Sequence, residues 1–219
     1  MPVRARLVPS HVPRNPDALV LVMHGGGSRR SETMVSPTQL SVLRMVPIAR
    51  RIARAGHGRL AVYRLLNSTR GWARDHTPVD DAVWALEKLA KMHGAASLPV
   101  SLVGHSLGGR AALLAGARPA VRTVVALNPY LYPHDGHARL IGRRVLIAHG
   151  TRDRVASLAT AETVARTLTS TAAISFVRVV DGKHAMLARH RVFDTLAADF
   201  VRASLDADWE PPEPRWREV

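Results

Sequence analysis

The stretch Val100–Ala117, VSLVGHSLGGRAALLAGA, decides how this chain is read. A short apolar run of strand character, Pro99 to Val103, meets Gly104-His105-Ser106-Leu107-Gly108-Gly109. It passes at once into an alanine- and leucine-rich run with helical spacing, Leu107 to Ala117. A turn needs glycine only where the backbone takes a positive φ or where another group must come close. Either the segment is a sharp connection or it presents Ser106 to something, and the remaining strands discriminate between the two.

Outward from this stretch, strand-like and helix-like segments alternate. Ala18–Met23, Leu60–Leu66, Val121–Leu127, Val145–Ala148 and Ile174–Val180 are short continuous runs rich in Val, Leu and Ile, as in strands covered on both faces. Between them, Pro37 to Ala55 is expected as a helix with Leu40, Leu43, Ile48, Ile52 and Ala55 on one stripe and Gly56 as its stop. Pro78 to His93 is a second, with Thr77 as N-cap, Pro78 in the first turn, and a stripe of Val79, Val83, Leu86, Leu89 and Ala90. Leu158–Leu168 and a closing helix over Ala185–Leu205 complete the series. Alternating βα units predict an α/β fold: a mostly parallel central sheet flanked by helices on both faces. The expected organisation is a single domain over residues 1–207, followed by a proline-rich C-terminal tail, 208–219, whose Trp209 and Trp216 can dock it to the body.

Composition narrows the chemistry. The 219 residues are 47% hydrophobic, enough for a sizeable core, and none is cysteine. Disulfides, thiolate metal sites and cysteine nucleophiles are therefore excluded. The N-terminal residues MPVRARLVPSHVPRNP are broken by proline and charge and lack the apolar core of a signal peptide, so a cytoplasmic location is expected. No apolar run reaches the ~18–20 residues that span a bilayer. The formal net charge is +14, carried almost wholly by arginine, since Lys88, Lys91 and Lys183 are the only lysines. The arginines form pairs rather than blocks and are not interleaved with aromatics, so nucleic-acid binding is not expected. The eleven histidines show no His-Glu-x-x-His spacing, and no metal or other cofactor is expected. Gly25-Gly26-Gly27 lacks both the Gly-Lys-Ser/Thr ending of a phosphate loop and the spacing of a dinucleotide fingerprint.

In a parallel α/β sheet, ligands bind outside the carboxyl ends of the strands. The segments found there are His24-Gly25-Gly26-Gly27-Ser28, Gly104-His105-Ser106-Leu107-Gly108, His149-Gly150-Thr151-Arg152-Asp153 and Asp181-Gly182-Lys183-His184. A serine, an acid and a histidine thus fall at one sheet edge in that chain order. Asp135 and Asp181 compete with Asp153 for the acid, and His190 competes with His184 for the base.

This pattern resembles the α/β-hydrolase superfamily, over about Ala18 to Leu205. Gly104-x-Ser106-x-Gly108 is similar to its nucleophile elbow, and His149-Gly150-x-x-Asp153-x-Val155 resembles its acid-bearing loop. The resemblance implies a serine hydrolase acting on small carboxylic esters through an acyl-enzyme. Ser106 would be the nucleophile, His184 its base and Asp153 the group that orients the imidazole. The oxyanion hole would use backbone N–H groups of Leu107 and of Gly26 or Gly27. His24, His105 and His149 would fix their loops by hydrogen bonding. The resemblance leaves open a thioesterase, lactone hydrolase or acyltransferase acting on an anionic substrate, with Arg29 and Arg30 as candidate binding residues among the loop arginines Arg70, Arg74, Arg110, Arg152 and Arg154. A non-catalytic basic binding protein with the same fold is a remote alternative. Many members insert a helical cap after the strand corresponding to Val121–Leu127. Only Asn128 to Gly142 is available here, so a compact, cap-less form is expected, with loops Ser28–Ser36, Leu66–His76 and Pro129–His137 bordering an open site. The first strands of the family are reduced to Val3–Val8 or absent.

Overall fold

The apolar runs and amphipathic runs fold as strands and helices in alternation. In the computed structural model, residues 4–26, 34–72, 76–94, 98–206, 208–211 and 215–219 are described. The elements are β1 (Arg6–His11), β2 (Ala18–Met23), α1 (Leu40–Ala55), β3 (Leu60–Leu66), α2 (Pro78–Met92), β4 (Val100–His105), α3 (Leu107–Ala115), β5 (Val121–Leu127), β6 (Arg144–Gly150), α4 (Leu158–Leu168), β7 (Ala173–Val179), α5 (His190–Ala203) and β8 (Trp216–Glu218). They build one eight-stranded sheet in the order β1-β3-β2-β4-β5-β6-β7-β8. Only β1 runs antiparallel to its neighbour, β3.

Side-chain alternation along the strands divides the interior into two layers. Leu19, Leu21 and Met23 of β2 face α2, α3 and α4. Ala18, Val20 and Val22 face α1 and α5. Both faces are covered, which is why the strands carry no polar alternation. Helix α2 starts where its sequence says it should: the Thr77 side chain accepts from the Val79 N–H at 3.3 Å, and Asp80 accepts from the Thr77 N–H at 2.7 Å. A cap of this kind contributes about 1 kcal/mol.

Several boundaries differ from expectation, each for a local reason. Helix α1 begins at Leu40 rather than Pro37, because Ser36 closes a turn first: the Gln39 N–H donates to the Ser36 carbonyl at 3.1 Å. The expected apolar stripe is correct at Ile48 and Ile52 and fails at Leu40 and Leu43, which are exposed, while Val42, Met45 and Ala49 supply the buried face. The closing helix starts at His190 rather than Ala185, because Met186 takes φ 56° and the chain turns there. A left-handed residue cannot continue a right-handed helix. The reduced first strand exists, but at Arg6–His11.

The connection from β5 to β6 carries a single 3₁₀ turn, Pro133–His137, and no cap domain is inserted there. The C-terminal segment supplies β8, parallel to β7. Its Trp216 stacks on Phe176 with ring centroids 4.8 Å apart, and Trp209 meets Phe200 edge-on at 5.1 Å. No helix among the described residues is long and apolar enough to cross a membrane.

Candidate functional site

The junction of β4 and α3 is tight enough to explain its glycines. A Cβ on Gly104 would run into the backbone of Gly108, and a Cβ on Gly108 would meet the His24 carbonyl oxygen. Between them Ser106 takes φ 56°, ψ −119°, a conformation that costs a non-glycine residue on the order of 1–3 kcal/mol. The strain is held by backbone bonds: Ser106 N–H donates to the Leu127 carbonyl at 3.0 Å, and the Ser106 carbonyl accepts from Arg110 and Tyr130, each at 3.1 Å. The serine is thereby fixed at the carboxyl edge of the sheet, at the start of α3.

Three side chains expected to act together are brought together. The Ser106 hydroxyl donates to His184 Nε2 at 2.9 Å, and His184 Nδ1–H donates to Asp153 Oδ2 at 2.8 Å. Asp153 Oδ1 accepts from the Val155 and Ala156 N–H groups at 2.8 and 2.9 Å. Burial alone would raise the Asp153 pKa. The hydrogen bond from His184 and those from the Ala156 and Val155 amides outweigh it, and the carboxyl titrates below its ordinary value. An ionised Asp153 fixes the Nδ1–H tautomer of His184 and leaves Nε2 as an acceptor facing the hydroxyl.

The competing residues serve other purposes. Asp135 is buried 25 residues along the chain from Arg110, whose guanidinium it binds at 2.8 and 3.0 Å, and it caps the Tyr132 N–H. The Arg110 guanidinium also lies over the rings of Trp72 and Tyr132, 4.2 and 4.6 Å from their centroids. Asp181 is exposed and pairs with Arg152 at 2.8 Å. His190 begins α5 and its ring bonds to the Leu187 carbonyl. Two of the loop arginines are thus committed to carboxylates.

On the other side of Ser106, Gly25 and Gly26 lie against the elbow. A Cβ on Gly26 would collide with the Arg70 carbonyl and the Leu107 side chain, so the expected oxyanion residues Gly26 and Leu107 are in close approach. Leu107 opens α3, where first-turn N–H groups have no intrahelical acceptor and carry the positive end of the helix dipole. Gly27, Arg29, Arg30 and Arg74 lie outside the described residues.

The accessory histidines are buried. His24 Nδ1 donates to the Gly25 carbonyl at 2.7 Å, while its Nε2 accepts from the Asn67 N–H. His105 Nε2 donates to the His184 carbonyl at 2.8 Å. His149 Nε2 donates to the Ala156 carbonyl at 3.2 Å, on the loop that carries Asp153. Burial lowers the pKa of all three, with His105 at about 3, so they act as neutral donors. Among the described residues no group of three or more His, Asp or Glu is placed to hold a metal ion.

One residue that no motif marks is central to the arrangement. Asn128, fully buried with φ 42°, accepts from the Gly150 N–H at 2.7 Å and donates to the Lys183 and His184 carbonyls at 3.0 and 3.1 Å. Its amide ties the loop after β6, which bears Asp153, to the loop after β7, which bears His184. Only its place directly after a strand, at the same edge as the other loops, marked it in the sequence.

A cavity of about 490 Å³ opens beside Ser106 and His184, bordered by Gly25, Gly26 and the first turns of α1. Of the loops expected to border the site, 66–72 brings the Arg70 carbonyl against Gly26 and 129–137 brings the Tyr130 N–H onto the Ser106 carbonyl, while residues 28–33 of the first loop lie outside the described residues.

No family model and no curated protein sequence matches the chain. Solved structures do. The esterase domain of a Rhodothermus marinus protein superposes with a TM-score of 0.64 at 19% identity, over 91% of this chain and 98% of that one. A Pyrobaculum calidifontis esterase gives 0.67 at 16%, over 93% and 82%. An α/β serine hydrolase homologue from Coxiella burnetii gives 0.64 at 16%, over 89% of each. At such identities the likeness is one of fold.

Proposed function

Proceeding from the α/β-hydrolase fold of this chain, we propose that it is a serine hydrolase that cleaves small carboxylic esters through an acyl-enzyme. One observation carries the reading: the unbroken chain from Ser106 Oγ through His184 to Asp153, set at a strained strand-to-helix turn. The esterases among the structural neighbours support it.

Ser106 attacks the ester carbonyl as His184 Nε2 takes its proton; a serine hydroxyl is a poor nucleophile without such a base. The imidazolium that forms is stabilised by ionised Asp153, which stays ionised throughout. Negative charge developing on the carbonyl oxygen is met by the N–H groups of Leu107 and Gly26. Collapse of the tetrahedral intermediate returns the proton from His184 to the leaving alcohol. Water then enters, His184 activates it by the same route, and the acid is released from Ser106.

A fluorophosphonate probe should label the wild-type chain at Ser106. Ser106→Ala should abolish the labelling and lower ester turnover by roughly three or more powers of ten, as deletions in such triads do. Ester turnover near wild type in Ser106→Ala would refute the assignment.

A further inference from the structure

We propose that the cavity beside Ser106 is an apolar subsite, and that the substrate is a neutral ester carrying an aliphatic or aromatic arm that packs against Leu40, Leu43, Pro47 and Leu187. The inference rests on the esterase reading and names the substrate class of that same site.

The decisive feature is where apolar side chains stand in water. Leu40, Leu43 and Leu187 are 83%, 46% and 68% exposed, although their sequence neighbours on α1 and before α5 pack into the core. All three line the cavity that has Ser106 and His184 in its wall. Leu40 and Leu43 lie on the first turns of α1, away from the face that Val42, Met45 and Ile48 bury, and the described residues leave them open. Leu187 projects from the turn ahead of α5, where Met186 takes a left-handed φ and packs its own side chain into the core. Two separate departures from helical patterning thus deliver leucines to one place.

An ester whose carbonyl carbon sits at Ser106 Oγ has two arms, and this cavity can take one of them. Pro47, inside α1, contributes a ring and no N–H donor. The guanidinium in the wall, Arg44, does not make the site cationic. It is buried and bound to Asp194 at 2.7 Å, so its charge is already matched. A carboxylate entering here would lose hydration and find no free cation among the described lining residues. The described residues of this wall therefore give the net charge of +14 no means of favouring an anionic arm.

The test uses the full chain and two ester series. One varies the acyl arm (acetate, butyrate, hexanoate) on a fixed p-nitrophenol; the other varies the alcohol (methyl, butyl, benzyl) on acetate. A carboxylated partner, the succinate half-ester matched to butyrate, completes the set. Full burial of a methylene is worth roughly four-fold in kcat/KM, and an open cavity about half that. One series should therefore rise by roughly two-fold per methylene, and the series that rises identifies the arm that enters. Leu43→Ser and Leu187→Ser should flatten that slope. The long-to-short ratio is insensitive to a loss of folded enzyme, so it separates a subsite from a merely structural role. Flat kcat/KM in both series, a preference for the succinate half-ester, or unchanged slopes in both variants would overturn the subsite. If Ser106 is labelled by fluorophosphonate while the slopes are flat, the subsite alone fails. If there is neither labelling nor turnover of any ester, the esterase reading fails with it.

Discussion

Replacing Asn128 tests whether one buried amide holds the loops that carry Asp153 and His184 in register. Its Oδ1 is the acceptor for the Gly150 N–H, and its Nδ2 serves the Lys183 and His184 carbonyls. Those carbonyls keep second donors, the Met186 N–H and His105 Nε2–H, so truncation orphans neither. The Gly150 N–H loses its side-chain partner in the interior, a cost of about 1–3 kcal/mol, and the two lost carbonyl bonds add about 1–2 kcal/mol together. At φ 42°, alanine also incurs backbone strain of about 1–2 kcal/mol that glycine avoids. Asn128→Gly should therefore lose about 2–5 kcal/mol and Asn128→Ala more, measured by urea denaturation at neutral pH. The loops bearing Asp153 and His184 would no longer be tied to each other. A displacement of about 1 Å at a catalytic group can cost roughly 100-fold in kcat. Ester hydrolysis by Asn128→Gly, assayed where the variant remains folded, should fall by about that factor. Asn128→Gly with unaltered stability and kcat would refute the reasoning, as would Asn128→Ala no less stable than Asn128→Gly.

Stability should also fall in acid before the carboxylates titrate. His24, His105 and His149 have folded pKa values lowered by burial, His105 to about 3, against an unfolded value of about 6.5. Their contribution is complete above pH ~6.5 and is lost as pH falls toward the folded pKa, because only the unfolded chain takes up the protons. The slope is at most about 1.4 kcal/mol per pH unit for each histidine, read from urea midpoints between about pH 7.5 and 5; a flat profile there would contradict their neutral burial. The Arg44–Asp194 pair joins α1 to α5 with both side chains buried. Asp194→Ala should lose about 3–5 kcal/mol by stranding the guanidinium, and Arg44→Met with Asp194→Leu should recover most of it; equal losses in the single and double variants would show that the pair is not what matters.

The order of elements and the meeting of Ser106, Asp153 and His184 at one sheet edge were legible because their causes are local. Short apolar runs covered on both faces, the Thr77-Pro78 helix start, and the glycines around Ser106 are each written within a few residues. The chain order of Ser106, Asp153 and His184 at successive strand ends needed only the rule that such a sheet presents its ligands at one edge. What lay beyond reach depends on which neighbour covers a given face. Helical spacing groups Leu40 and Leu43 with Ile48 and Ile52, yet the first turns of α1 stand beside the Ser106 cavity, and there the same apolar side chains line a cleft instead of a core. The tail reads as a proline-rich segment that Trp209 and Trp216 can dock; only the fold decides that its backbone completes the edge of β7 as β8, with Trp216 stacked on Phe176. Asn128 follows its strand without any motif, and its significance comes from three partners 22, 55 and 56 residues away. Periodicity records how a segment divides into faces; only the packed chain decides what each face meets, because burial and hydrogen-bond satisfaction are settled between residues distant in sequence.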